Sequence, residues 1–198
     1  MKMGMKTAVF LCAVFCAACF VGAAHASEPR IADVQAIIKN GQVRVWARLR
    51  HGFGPQTRRD LHNGIPKEFY YYLALKRKQK NWIDEEMLSR TIRDTVRYDL
   101  LKKQYTVIRR QDGQAGERDT REETAVWDDF EAMERAVSAL HDVALTPVSS
   151  LTPGQRYYVD VKAQMKAARL PFYQEFLLFF IPFLEVDTRW SRSGTLRP

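Results

Sequence analysis

The chain has 198 residues, enough for one ordinary domain and too few for several. Hydrophobic residues make up 46 %, aromatic residues 12 % and charged residues 27 %, a balance that excludes a largely disordered chain. The formal charge of +8 and the three cysteines are both reshaped by the first segment of the chain.

Residues 1–26 read as a secretory signal. Lys2 and Lys6 form a positive start, Ala8 to Ala24 is an unbroken stretch of apolar and small residues, and Ala24-His25-Ala26 is a small-x-small cleavage site before Ser27. The apolar stretch falls short of the ~20 residues that span a bilayer. An uncleaved anchor is the first alternative. Lipidation at Cys19 is the second: small residues precede Cys19, but Cys16 stands where a branched aliphatic residue is usual. Cys12, Cys16 and Cys19 all lie in this segment, so a chain starting at Ser27 has no cysteine for a disulfide, a thiolate metal site or a nucleophile. Its 29 basic residues against 23 acidic ones leave +6. Outside the cytoplasm, that charge suits an anionic membrane surface or an acidic envelope protein better than nucleic acid.

From residue 27 onward a single β-rich domain is expected. Asn40-Gly41 is the preferred two-residue hairpin turn. Pairing outward from Lys39 and Gln42 sets Ile38 opposite Val43, Ala36 opposite Val45, Val34 opposite Ala47 and Ala32 opposite Leu49, all apolar and on one face. His51 to Gly64 is expected to be a loop. Glu68–Lys78 reads as a strand with Phe69, Tyr71, Leu73 and Leu75 on one face, ending in the basic run Lys76-Arg77-Lys78-Gln79-Lys80 before Trp82. Ile92 to Leu100 alternates as a further strand, Tyr105 to Arg109 continues or pairs with it, and Gln111 to Glu123 is expected to be an exposed loop.

One helix is predicted, because Phe130, Met133, Val137 and Leu140 recur at helical spacing. Asp128 or Thr124 would cap it, with Asp128, Asp129 and Glu131 at the positive end of its dipole. Thr152-Pro153-Gly154 is a turn, and Tyr157 to Met165 alternates most strictly of all. A last strand is expected around Leu184, Val186, Thr188 and Trp190. The predicted fold class is mainly β: an antiparallel sandwich of about seven strands with one packed helix, an α+β single sheet being the alternative.

The landmarks also have a recognisable order. Leu61-x-x-Gly64-Ile65-Pro66 precedes the aromatic strand, Trp82-x-Asp84 follows it, and Tyr98-Asp99-x-Leu101 and Tyr105-x-Val107 come next. A helix with Ala136 and Leu140, then Leu151-x-x-Gly154-x-x-Tyr157 and Leu170-Pro171, close the set. In this order the chain, from Ile31 to Trp190, resembles the exported bacterial family called domain of unknown function 4390. The resemblance implies export and a single domain, and implies no activity or catalytic residue. Some family members are encoded near membrane sensor kinases, which implies a link to envelope signalling.

Motifs for chemistry are sparse. After the signal the histidines are His51, His62 and His141, with no HExxH or HxH spacing, and no metal is expected. There is no GxSxG or SxxK and no phosphate-cradling glycine loop, so no cofactor is expected. The carboxylate clusters Asp84-Glu85-Glu86 and Asp128-Asp129-Glu131 have sufficient roles in salt bridging and at a helix start. The expected function is therefore non-enzymatic: an exported interaction module that binds a protein partner or an anionic membrane surface. A carrier or sensor of an apolar ligand, needing an enclosed apolar cavity, is the alternative, and a hydrolase ranks last. The candidate interaction surface is Lys76, Arg77, Lys78 and Lys80, together with Phe179 and Phe180 in the apolar run Phe176–Leu184. Of Phe179 and Phe180, one is expected to be exposed and the other buried.

Overall fold

The computed structural model describes residues 28–112, 121–167 and 186–198. Residues 1–27, which include the segment expected to be a signal, and Phe179 and Phe180 lie outside the described residues.

The hairpin forms as β1 (Arg30–Lys39) and β2 (Gln42–Arg50). Asn40 and Gly41 take φ of 52° and 71°, the left-handed pair that this turn requires. The expected register holds from Lys39↔Gln42 to Gln35↔Trp46 and then shifts by one, so that Ala32 pairs with Arg48 and Ile31 with Leu49. The extra residue sits around Asp33, whose φ is 55° and whose carboxylate accepts from Arg50 at 3.0 Å. The bulge corrects the predicted pairing of Val34 and Ala32. It also buries Ile31, a larger apolar side chain than the alanine a straight strand would have placed there.

A Cβ on Gly41 would meet nothing within 4 Å, so only its backbone conformation is at stake. Gly41→Val is therefore expected to cost ~1 kcal/mol or more, the penalty of a β-branched residue in the left-handed region. Thermal melts would show it, and an unchanged midpoint would contradict the turn's role.

β7 (Ala139–Pro147) adds to β2 and completes a three-stranded antiparallel sheet in the order β1-β2-β7. The second sheet contains β3 (Lys67–Arg77), β4 (Glu85–Asp99), β5 (Gln104–Gln111), β6 (Arg121–Trp127), β8 (Tyr157–Ala167), β9 (Val186–Asp187) and β10 (Ser191–Arg192). Its order is β10-β8-β3-β4-β5-β6, with β9 also on β8, and every pairing is antiparallel. The two sheets share one core. Phe69, Tyr71, Leu73, Leu75, Val159 and Val161 face Val43, Val45, Leu49 and Leu145 in it. Arg90 bridges the layers by donating to the Ala144 carbonyl at 3.0 Å, and Ser191 Oγ donates to the Ile31 carbonyl at 2.9 Å. The fold is thus the mainly β, two-sheet antiparallel arrangement that the alternation predicted.

Local departures have local causes. Among the described residues two α-helices are present, where one was expected. α1 (Pro55–His62) occupies the expected loop, with Pro55 in its first turn, where its missing N–H costs nothing. It ends at Gly64, φ 78°, whose N–H reaches the Leu61 carbonyl at 2.9 Å. Its buried residues are only Thr57 and Leu61, too few to show a helical period.

α2 (Phe130–Val137) stops short of Leu140, which lies in β7 instead. Asp129, rather than Asp128 or Thr124, caps it, accepting from Ala132 N at 2.8 Å. Asp142, φ 53°, bulges β7 and hides its alternation. β6 lies on the sheet edge with Arg121 to Val126 all exposed, so no apolar face marked it as a strand. The expected last strand is two short pieces, β9 and β10, and Leu184 lies outside the described residues.

Candidate functional site

β3 leaves the sheet at Arg77, and the chain returns to β4 at Glu85. Beside this connection runs the turn before β8, which reverses at Gly154, φ 77°. The two are tied by the Lys78 N–H donating to the Arg156 carbonyl at 2.8 Å. Between them lies an open cleft of about 720 Å³ lined by Arg77, Lys78, Gln79, Lys80, Gly154, Gln155 and Arg156. Four cations and no carboxylate form that lining.

The surrounding acids are already engaged. Glu85 takes Arg77 and also accepts from Gln79 at 3.2 Å. Tyr158 O–H and the Gln79 N–H both donate to Asp84, at 2.6 and 3.0 Å, and hold its carboxyl below the ordinary range. Asp160, 4 % exposed, is shared by Lys76 at 3.2 Å and Arg192 at 2.9 Å. The Arg192 guanidinium lies 3.8 Å from the Tyr158 ring centre. Burial, then the bond to Asp84, pushes the Tyr158 hydroxyl up to about 12. Lys78, Lys80 and Arg156 are exposed and have no ion-pair partner among the described residues.

The pleat thus divides the predicted basic run. Lys76 turns to the outer face of the sheet and is neutralised by Asp160, with Trp190 5.8 Å away. Arg77 is held by Glu85, while Lys78 and Lys80 supply the cleft's unmatched charge. Arg156 completes the site from a distant part of the sequence, which the basic run did not reveal. At the crest of the same connection Trp82 is 79 % and Ile83 83 % exposed.

His62, His141 and the acids around α2 make structural contacts. His62 is hydrogen-bonded to the Tyr105 hydroxyl and lies against Tyr98, and His141 meets Trp46 edge-on. Asp128 accepts from Gln104 at 2.8 Å and Glu131 pairs with Arg58 at 3.1 Å. Among the described residues no group of three His, Cys, Asp or Glu is placed to hold a metal, and no helix is long and apolar enough to cross a membrane. The arrangement at the cleft can hold and orient an anion.

The family model described as "Domain of unknown function (DUF4390)" matches residues 26–193. No curated protein and no solved structure matches the chain.

Proposed function

The chain belongs to the DUF4390 family, and from that premise, which assigns no chemistry, we propose that it is an exported, non-enzymatic interaction module that docks the basic end of its sandwich on an anionic partner. One observation carries the reading: Lys78, Lys80 and Arg156 converge on a single cleft that has no carboxylate in its lining. Like charges gathered without a counter-charge repel one another, and an anionic partner relieves that repulsion. Export is supported by Ala24-His25-Ala26 and by a family match that begins at residue 26, leaving the apolar segment outside the domain. The partner then lies on the extracytoplasmic side, where a link to envelope signalling would operate.

Heparin, a soluble polyanion that enters no bilayer, tests the reading. Titrated into the chain from Ser27 in a calorimeter, it is expected to bind at 50 mM salt and to weaken steeply by 500 mM, as screening shortens the reach of each charge. Binding at the cleft would be confirmed by its loss in the K78A/K80A/R156A variant. No binding, or binding that this variant leaves unchanged, would remove the basis of the proposal.

A further inference from the structure

The anionic partner can be named from what stands next to the cleft. Trp82 and Ile83 are adjacent, almost fully exposed, and sit on the same seven-residue connection that carries Lys78 and Lys80. A folded domain gains nothing by holding a tryptophan and an isoleucine side by side in water. A tryptophan with lysines beside it is what the interfacial layer of a bilayer favours: the amphipathic indole lies at headgroup depth, the aliphatic neighbour reaches the acyl boundary, and the cations meet lipid phosphates. An acidic protein partner would meet the cations, but it would need an apolar pocket of its own for the wedge. A fluid bilayer needs none.

The opposite end of the same sheet provides the contrast. There the β4–β5 turn exposes Leu100 (59 %) and Leu101 (95 %) beside Lys102 and Lys103. No tryptophan stands there, and Asp99, the last residue of β4, accepts from the Leu101 and Lys102 N–H groups at 2.9 and 3.0 Å. Asp84 plays the matching part in the Trp82 connection, accepting from the Gln79 N–H at 3.0 Å, so the two ends differ in the indole and in the cleft of Arg77, Lys78, Lys80 and Arg156 beside it.

Resting on the proposed anionic docking, we propose that Trp82 and Ile83 insert into the interfacial layer of an anionic phospholipid bilayer while Lys78, Lys80 and Arg156 hold headgroup phosphates, so that the sandwich stands end-on to the membrane. The wedge and the cleft make separable contributions. The cleft selects negative lipid and is sensitive to salt; the wedge is insensitive to salt and sets the depth.

The test uses the chain from Ser27, which carries every described strand and helix, and vesicles of phosphatidylglycerol and phosphatidylcholine with brominated acyl chains. Tryptophan fluorescence is expected to be quenched by these vesicles. Trp82→Phe should remove most of that quenching, and Trp190→Phe should leave it in place. W82S/I83S is expected to lower vesicle partition tenfold or more with heparin binding unchanged, while L100S/L101S leaves both as they are. Quenching that persists in Trp82→Phe, or full partition of W82S/I83S, would overturn insertion. Heparin binding without any vesicle association would also overturn it, leaving the cleft's anionic docking intact and making an acidic protein the occupant.

Discussion

Arg109→Leu is expected to cost about 3–5 kcal/mol, because it strands a carboxylate in the core. Asp94 points into the core from β4 and has no exposed surface. Its cross-strand neighbour on β5 is Arg109, which grips both carboxylate oxygens at 2.7 and 2.6 Å. The same guanidinium lies 3.5 Å from the Ala136 carbonyl, and the Tyr71 hydroxyl donates to the Val137 carbonyl at 2.7 Å. The pair therefore also receives the end of α2, whose last carbonyls have no helical donors. Burial raises the Asp94 carboxyl above its ordinary range, and Arg109 works against that rise.

Without Arg109 only the burial remains, so the carboxyl climbs further. A group whose folded pKa is raised contributes stability that is complete below its unfolded value of ~3.9 and lost as pH climbs through the folded value. The deficit of Arg109→Leu should therefore be small at acid pH and full at neutral pH. Paired leucines at both positions remove the stranded charge, so D94L/R109L is expected to be more stable than Arg109→Leu alone. Urea melts of wild type and both variants at two pH values would measure this. A single variant as stable as wild type at neutral pH would show that the pair matters little.

This pair illustrates what the sequence left hidden. Asp94 interrupts the apolar phase of its strand between Ile92 and Val96, and Arg109 follows Tyr105 and Val107 in theirs, so the alternation shows two polar interruptions on an inner face but not that the fold sets them opposite each other. The strong local signals survived: Asn40-Gly41 set its turn, and Tyr157–Met165 became β8, paired with β3 along its whole length. What failed was whatever depends on a bulge or an edge. Asp33 and Asp142 each add a left-handed residue that flips a strand's facing, and β6 at the sheet edge needs no apolar face. The basic run was visible as charge and Glu85 as a neighbouring counter-ion, but the division of the run was not, because Asp160, which takes Lys76, comes from a strand that only the fold brings alongside. Trp82-Ile83 carried a usable signal: two apolar residues among Lys, Gln, Asn and Asp, with no alternating neighbours to give them a core face.

Removing the three unmatched cations together, as K78A/K80A/R156A, is expected to weaken partition into phosphatidylglycerol vesicles by about a hundredfold. A basic side chain near an anionic surface contributes ~1 kcal/mol, so three contribute ~3 kcal/mol, and each 1.4 kcal/mol is tenfold. Folding should not change, because all three side chains are exposed and substitutions at such sites usually stay within about 0.5 kcal/mol. The neighbouring cations provide the contrast. Lys76 and Arg192 share buried Asp160, and Arg77 is held by Glu85, so two of their three positive charges are matched before any lipid arrives. Removing Lys76 also leaves Asp160 to Arg192 alone, so Lys76→Ala should alter stability more than vesicle partition. The dependence on salt separates the two kinds of cation further: the wild-type partition should fall steeply as the screening length shortens, and that of the triple variant should be nearly flat. Equal losses from Lys76→Ala and from the triple variant would mean that net charge, rather than the cleft, governs docking.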